Sequence, residues 1–470
     1  MPAGPLQSRR SWLARVAAAG QAGWLGFLAA ACRLSPTTAP SRSRPRTVVL
    51  AAPSTAAAPG AAASKEWQEA VGYVNRAADE GRYSFRVRPV GLPAYDDGGG
   101  GLAPGGGQQL RAVLEQGQRV DLVGAERGSR VDGLAALGLL QPLDHVARRT
   151  RGVPLDSFPA ALLEDVRWRG QTWALPVAAI PMVLWYDAPL FRTTGAPAPD
   201  RSWTWSTLGE VGRALTADPD EAGEVTRWGL DLRPIPYEIF VWQAGGELFG
   251  PDRRILLREA PGLRAIRFAA DLYHTYRCLP TAWRHPRSLI GRRGIRAEGG
   301  GGAPWQMAMA YASAINAPYA GDRSTDTGRM AELPSGPDGP RGRVRATRAK
   351  VDRSIAITAS APDAALAAEA LRACLDAFEA RGSVSGRADA AAARAAAAAG
   401  WGPEELAVVL ASLAYARGLP LDLDPVVYHV SVSLDRILRE GRTSPEQAAD
   451  ETAGAAERIM ERITAEAARG

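Results

Sequence analysis

The chain has 470 residues, of which 46% are hydrophobic, a net charge of +6 and a pI of about 9.4. This length and apolar content suffice for one large or two medium domains with buried cores. Lys65 and Lys350 are the only lysines, and the arginines are spread along the chain instead of clustering on one helix, which argues against a nucleic-acid-binding protein.

The N-terminal 32 residues have the layout of a secretory signal. Arginines at positions 9, 10 and 15 precede an apolar stretch over residues 16–31, which is too short for a membrane span of roughly 20 residues. Small residues lead to Cys32, as in signals whose cysteine receives a lipid. The alternatives are a plain signal peptide or a short membrane anchor, and residues 8–13 also resemble a twin-arginine export signal. Residues 33–46, rich in Pro, Ser, Thr and Arg, are expected to form a tether.

Strand and helix patterns alternate through the first third of the chain. A β-branched run over residues 46–52 predicts the first strand, and Ser64 is placed to cap a helix that Gly81 closes. The next predicted elements are a strand over 83–88, a Gly-rich loop over 97–107, a helix over 108–116, a strand over 119–123 and a helix over 131–137. This alternation predicts an α/β fold in which helices cover both faces of a sheet.

The rest of the chain continues the mixed pattern and then becomes helical. The predicted elements are a hairpin over 168–176, a strand over 182–186, helices over 205–215 and 260–276, a flexible basic insertion over 285–302 and a strand over 354–357. Residues 387–400 are almost purely Ala, Arg and Gly, which predicts a weakly specified helix or a surface segment. The final helix is predicted to begin after Ser444, because Ser444 and Gln447 form a capping-box pattern around Pro445.

Motifs for common enzyme chemistries are missing from the sequence. Neither lysine belongs to a P-loop, the four histidines have no HExxH spacing, and there is no CxxC pair and no GxSxG elbow. We therefore predict that the protein is not an enzyme and holds no metal or cofactor. Cys278 and Cys374 could form a disulfide in an exported protein; because Cys374 lies on an apolar helical face, buried free thiols are the alternative.

Eight short segments, in order along residues 47–465, resemble the motifs of one family. They are VDLV at 120–123, GLLQPLD at 138–144, GQTWALP at 170–176, WYDAPLF at 185–191, WTWSTL at 203–208, QAGGE at 243–247, QMAM at 306–309 and EGRTSPEQA at 440–448. By this resemblance the chain is identified as a member of the extracellular solute-binding proteins of ABC importers, of the sugar-binding, maltose-binding-protein-like class. Val120 stands where this family usually has proline, and Asp187 stands where it usually has asparagine.

The resemblance implies a two-lobed, type II periplasmic-binding-protein-like α/β fold, in which each lobe is a sheet flanked by helices and a hinge joins the lobes. We expect lobe 1 to comprise residues 47–178 and 345–395, and lobe 2 to comprise residues 179–344 and 396–470. The N-terminal signal with Cys32 predicts an exported, lipid-anchored protein. Together with it, the resemblance implies a monomer that captures a carbohydrate in the interlobe cleft and delivers it to membrane permease subunits. Two rivals stay open: a binder of another solute, such as a phosphorylated polyol or a polyamine, and an exported glycan-active enzyme.

A sugar site needs aromatic rings that stack on the sugar faces and planar polar groups that pair with hydroxyls. The positions at which the resemblance places these groups are Tyr237 and Trp242 near the QAGGE segment, Tyr311 or Tyr319 after the QMAM segment, Tyr428 before the EGRTSPEQA segment, and Glu126 and Arg127 after the VDLV strand. Core packing is the alternative for each ring, and a solvated ion pair is the alternative for the two charged residues.

Overall fold

The computed structural model of the chain describes residues 45–54, 62–92, 105–126, 131–150, 153–217, 225, 227–232, 235–280, 306–314, 328–337, 342–380 and 402–469. Several predictions fall on positions outside these ranges. They are the export signal including Cys32, nearly all of the tether, most of the Gly-rich loop, the insertion over 285–302 and the Ala-rich stretch over 387–400. The predicted ligand contacts Arg127 and Tyr319 also lie outside the described residues.

The described strands form one mixed sheet and two short ladders. The strands of the sheet are β1 (Arg46–Pro53), β2 (Phe85–Leu92), β3 (Leu122–Glu126), β6 (Leu175–Asp187), β9 (Met309–Ser313), β10 (Gly328–Ala331), β11 (Thr347–Ile357) and β12 (Ala416–Arg417). The ladders pair β4 (Arg167–Trp168) with β5 (Gln171–Thr172), and β7 (Arg227–Trp228) with β8 (Gln306–Met307). The main path runs β10-β6-β11-β3-β1-β2, with β9 beside β6 and β12 beside β11.

Helices follow most strands, as the predicted α/β pattern requires. In chain order they are α1 (Lys65–Asp79), α2 (Gly105–Glu115), α3 (Val131–Ala136), α4 (Leu143–Arg149), α5 (Ala160–Glu164), α6 (Ala188–Thr194), α7 (Trp205–Leu215), α8 (Tyr237–Gln243), α9 (Ala260–His274), α10 (Ala364–Ala380), α11 (Pro403–Ala414), α12 (Asp424–Glu440) and α13 (Pro445–Arg469). Short 3-10 turns over Leu155–Ser157 and Leu421–Leu423 lead into α5 and α12.

Apolar side chains from both ends of the sheet pack into separate cores. At one end, Leu50 and Leu122 pack with Trp67 of α1 and Phe378 of α10 on one face of the sheet. The residues next to them in the strands point to the other face and pack there in a second cluster. At the other end, side chains of α7, α8, α9, α12 and α13 form the largest cluster, and Trp185 with Met330 covers the opposite face. The sheet therefore has two halves, each covered on both faces. We call the half around β1–β3 the first half and the half around β9 and β10 the second half.

Gly124 allows a close helix–sheet contact in the core of the first half. A Cβ atom at this position of β3 would lie 2.4 Å from the indole ring of Trp67. Trp67 itself is fully buried and meets Phe378 edge-on, with ring centroids 4.8 Å apart. The absence of a side chain at Gly124 therefore lets α1 lie directly on the sheet.

Most predicted elements are present, but four strands differ clearly in their bounds. β2 covers residues 85–92 and not 83–88. β3 begins at Leu122 and not at residue 119, because Asp121 is engaged just before the strand: its carboxylate accepts the Val49 N–H at 2.8 Å and pairs with Arg119 at 2.9 Å. β6 and β11 are far longer than predicted. Prolines in β6 and charged residues in β11 interrupt the apolar pattern, so the sequence signal covers only part of each strand.

The capping box predicted at the last helix is confirmed. The Ser444 hydroxyl accepts the Gln447 N–H and the Gln447 side-chain oxygen accepts the Ser444 N–H, each at 3.2 Å. Ala448 is buried, and Ile459 and Ile463 pack against the large core of the second half, as predicted for the inward face.

The two described cysteines are free and buried. Cys278 belongs to the large core of the second half, and Cys374 lies on α10 in the core of the first half. Burial raises the pKa of each thiol to about 12. The structure therefore favours two inert core thiols over a disulfide.

Candidate functional site

The two halves of the sheet meet where β3 ends. Glu126, the last residue of β3, lies opposite Arg353 on β11, and Arg353 lies opposite Ala178 on β6. Beyond this point only β6 and β11 continue into the second half of the described sheet. The register of β11 against β6 shifts on both sides of Arg353, which marks a bulge next to Val351. We call Glu126, Ala178, Val351 and Arg353 the strand junction.

The position of the strand junction is typical of a ligand site. β1 and β3 are parallel and end near this edge, and open α/β sheets bind ligands outside the carboxyl ends of their strands, where the strand order reverses. A β-bulge at this point also bends the strand and redirects side chains, a feature that is frequent beside active sites. The backbone of Glu126, a predicted ligand contact, therefore lies at the edge of the sheet where a ligand is expected.

A charge cluster with a buried centre forms between β11 and two helices beside the strand junction. Arg348 donates from Nη1 to Oε1 of Glu238 on α8, at 3.2 Å, and from Nη2 to Asp424, the first residue of α12. The Nζ atom of Lys350 lies 3.3 Å from the other carboxylate oxygen of Asp424. The side chains of Arg348 and Glu238 are each only 5% exposed. We call Arg348, Glu238, Lys350 and Asp424 the Arg348 cluster.

The charges of this cluster determine the ionisation of its members. Burial lowers the pKa of Arg348, but Asp424 and Glu238 more than offset this effect and raise it above the ordinary value. Burial alone raises the pKa of the Asp424 carboxyl, yet Arg348 and Lys350 bring it below its usual range. Arg348 and Asp424 are therefore both charged at neutral pH.

Asp165 adds a third carboxylate from the first half. It follows α5, and its Oδ2 accepts the N–H of Val351 in the strand junction at 2.7 Å. Burial raises the pKa of Asp165 to about 7, although the nearby Arg348 and the Val351 N–H both act to lower it. Asp165 therefore changes its charge close to neutral pH.

Three of the predicted aromatic contacts lie together in the large core of the second half. Tyr237 is fully buried, and Tyr311 of β9 is buried among the same side chains. Neither phenol oxygen has a hydrogen-bond partner within the described structure. Burial raises the pKa of both phenols above the ordinary value for tyrosine.

Trp242 is the third ring in this core and is 1% exposed. The guanidinium group of Arg417 lies over its indole ring, with the guanidinium carbon 4.9 Å from the ring centroid. Arg417 is held there by an ion pair with Glu247. The rings of Tyr237, Trp242 and Tyr311 are thus covered by other side chains. Their positions agree with core packing, the alternative to ligand contact.

Tyr428 is placed differently from the other predicted rings. It lies on α12, in the turn after Asp424, and its side chain is 59% exposed. An exposed ring of this size is unusual for a residue that only packs, so Tyr428 is the predicted aromatic contact whose ring is open to a ligand.

Sequence reasoning missed Arg348, Glu238, Asp424 and Asp165. The available signal was the alternation of Arg348 and Lys350 on one face of β11, in a stretch that has the β-strand period but no apolar pattern. The acidic partners come from three distant segments, and nothing local in the sequence links them.

The described residues contain neither a metal-binding cluster nor a membrane-spanning helix. No group of three or more His, Cys, Asp or Glu side chains in the described ranges is arranged to hold a metal ion. Among the helices that the structure describes, none is both long and apolar enough to cross a membrane.

Comparison with known proteins assigns the chain to a family. The sequence profile of the family described as bacterial extracellular solute-binding protein matches residues 95–377, more than half of the 470-residue chain. The chain belongs to this family. The resemblance found in the sequence motifs is thereby confirmed, and the members of this family are binding proteins. No curated protein sequence matches the chain.

Solved structures of solute-binding proteins share the fold. The cyclic α-maltosyl-1,6-maltose binding protein from Arthrobacter globiformis is 17% identical, with a TM-score of 0.64 over 89% of this chain and 100% of that chain. The sugar-binding protein MalE from Xanthomonas citri is 16% identical, with a TM-score of 0.62 over 88% and 98% of the two chains. UgpB from Mycobacterium tuberculosis, in complex with glycerophosphocholine, is 19% identical, with a TM-score of 0.56 over 89% and 99%. These similarities confirm the type II periplasmic-binding-protein fold.

Proposed function

We propose that this solute-binding protein captures a carbohydrate between its two lobes and delivers it unchanged to the permease of an ABC importer. The observation that carries the proposal is the similarity, over 89% of this chain, to a protein that binds a cyclic maltosyl-maltose. The lobes correspond to the predicted residues 47–178 with 345–395 and 179–344 with 396–470. The protein performs no covalent step on its ligand.

The ligand cleft opens at the strand junction. Lobes that rotate about β6 and β11 would close over the carboxyl ends of β1 and β3, where Glu126 and Arg127 supply polar contacts. Tyr428, which is exposed, supplies a ring contact from the second half. Tyr319 is a further ring contact in this proposal. The rings of Tyr237, Trp242 and Tyr311 are buried, so they contact the sugar only after the side chains packed over them, such as Arg417 over Trp242, have moved.

A second candidate ligand class is a phosphorylated polyol. UgpB, which is 19% identical to this chain, was solved with glycerophosphocholine. The basic side chain of Arg353 at the strand junction would suit an anionic phosphodiester.

A thermal-shift screen distinguishes these ligands. The panel contains linear and cyclic maltooligosaccharides, glycerophosphocholine, polyols and polyamines. We expect a maltooligosaccharide to raise the melting temperature, because a ligand that binds only the folded state stabilises it. The same samples are then analysed by chromatography. A panel in which only glycerophosphocholine stabilises the protein selects the second candidate, and consumption of a glycan identifies an enzyme.

The same proposal places the protein outside the cytoplasm as a monomeric lipoprotein. Residues 1–32 form the export signal, Cys32 carries the lipid, and residues 33–46 tether the body to the membrane. Cys32→Ala is expected to release the body from membranes into the soluble fraction, as fractionation and mass spectrometry of the N-terminus would show. Retention of the variant on membranes contradicts the lipid anchor.

A further inference from the structure

We propose that Arg348 is a positioning residue for ligand binding: it fixes the N-terminal turns of α8 and α12 against β11 without touching the ligand. Both helices carry predicted ring contacts, Tyr237 on α8 and Tyr428 on α12. The link to ligand binding rests on the proposed function, whereas the positioning of the helices does not.

The contacts of Arg348 join three elements at one point. Arg348 is a residue of β11. One of its guanidinium nitrogens donates to Glu238 on α8, and a second donates to Asp424 on α12. A planar guanidinium group can hold two carboxylates in fixed directions, which a lysine ammonium cannot do. Arg348 therefore sets the position of one helix relative to the other through a single rigid group.

The neighbouring residues strengthen this arrangement. On the partner strand β12, Arg417 lies opposite Arg348 and covers Trp242 of α8. Glu238 and Trp242 are one helical turn apart on α8, so the helix rests on β11 and β12 through two adjacent contacts. Gln243, the last residue of α8, donates to the carbonyl of Ala346 at 2.9 Å.

Burial makes the Arg348 contacts costly to lose. A buried charge whose partner is removed keeps its desolvation penalty, so breaking such a pair is far more damaging than breaking an exposed one. In Arg348→Met both Glu238 and Asp424 lose their guanidinium partner. We expect both helix N-termini to loosen together.

The strand junction lies within reach of this cluster. Arg348 precedes Val351 on β11, and the Val351 N–H is bound by Asp165 from the first half. Arg348 and Asp165 also interact electrostatically. The Arg348 cluster thus connects the ring-bearing helices of the second half with the point about which the lobes would rotate.

Hydrogen exchange of the ligand-free full chain tests the positioning role. In Arg348→Met, we expect exchange in the first turns of α8 and α12 to become at least about 10-fold faster, with α1 unchanged. Glu238→Gln should loosen α8 alone and Asp424→Asn should loosen α12 alone. Arg348→Lys keeps the positive charge but loses the planar guanidinium that can bind two carboxylates. Its exchange rates should lie between those of wild type and Arg348→Met. Should Arg348→Met fail to fold, the other three variants carry the test.

Arg345→Met is the matched control. Arg345 is a partly buried arginine just before β11, 3.4 Å from Glu332, and its contacts do not include α8 or α12. It should change exchange in these helices by less than about 3-fold. Exchange that is unchanged in either helix of Arg348→Met, or equally fast in Arg345→Met, overturns the positioning role.

A second readout connects the positioning role to ligand binding. For the best ligand of the thermal-shift panel, Arg348→Met should weaken affinity about 10-fold or more, mainly through faster dissociation, and Arg345→Met should not. Unchanged affinity in Arg348→Met with loosened helices overturns the link to binding. If the wild-type protein binds no solute, the proposed function fails, and the exchange results still decide whether Arg348 positions the helices.

Discussion

Arg417 lies over the indole ring of Trp242, with the guanidinium carbon 4.9 Å from the ring centroid. An aromatic face that already holds a cation cannot stack on a sugar until that cation moves. Arg417 and a sugar would therefore compete for the same face of the Trp242 ring. The predicted contact between Trp242 and a sugar requires Arg417 to move away first.

Removal of Arg417 should favour the ligand in this competition. We expect Arg417→Ala to raise carbohydrate affinity about 2- to 5-fold, which corresponds to the roughly 0.5–1 kcal/mol of an exposed cation–π contact. Isothermal titration calorimetry measures the change, with Arg329→Ala as the control, because Arg329 is a comparably exposed arginine that contacts Glu404 on α11. Equal affinities for wild type and Arg417→Ala would leave Trp242 as a core residue only.

Tyr428 should affect binding far more than stability. Because its ring is 59% exposed, Tyr428→Ala is expected to change the free energy of unfolding by less than about 0.5 kcal/mol. Loss of a stacked ring should weaken carbohydrate binding by about 1 kcal/mol or more. Leu410→Ala on α11 removes another exposed apolar side chain and should leave affinity unchanged. Equal affinity for wild type and Tyr428→Ala places the sugar elsewhere.

Asp165 should make stability depend on pH between about 4 and 7. Its folded pKa of about 7 is raised above the value of about 3.9 expected for the unfolded chain, so the folded state holds the proton more tightly. Its contribution to stability is therefore greatest at low pH and is lost as the pH rises to about 7. The groups that face Asp165 are Arg348, Lys350, Asp424 and the Val351 N–H.

Asp165→Asn removes this titration while keeping an oxygen for the Val351 N–H. Compared with wild type, we expect the variant to gain about 1–3 kcal/mol in unfolding free energy at pH 8 relative to pH 5, as measured by urea titration. Asp363→Asn, a change at an exposed carboxylate paired with Arg46, is the control. A difference between pH 5 and pH 8 that is the same in wild type and Asp165→Asn shows that Asp165 is ionised throughout.

The cysteines should react only when the protein unfolds. Burial and a pKa of about 12 keep Cys278 and Cys374 as thiols at neutral pH. We expect mass spectrometry after iodoacetamide treatment to show no alkylation of either residue in the native protein and alkylation of both in guanidinium chloride without a reductant. Alkylation that requires a reductant would reveal a disulfide.

The sequence signals succeeded where the fold depends on local patterns. The periodicity of residues 205–215 predicted α7 with its observed bounds, and the pair Ser444 and Gln447 predicted the start of α13. The signals failed at the strand junction, because the crossing parts of β6 and β11 contain prolines or charges whose partners lie far along the chain. Neither strand could be recognised in full from its own residues.

The candidate site was harder to predict than the fold, for a related reason. Aromatic residues such as Tyr237 and Tyr428 give the same signal in a sequence, whether the ring is buried in a core or open to a ligand. The sequence indicates only the basic half of the Arg348 cluster, through the alternation of Arg348 and Lys350. Its acidic members become neighbours only through the packing of α8 and α12 on β11.

Small-angle X-ray scattering of the protein, with and without saturating ligand from the panel, tests the central claim most directly. If two lobes close on a carbohydrate about the strand junction, the radius of gyration should fall on addition of the ligand, and the ligand should be recovered intact by chromatography. An unchanged radius of gyration with saturating ligand bound, or recovery of a cleaved product, would contradict the account.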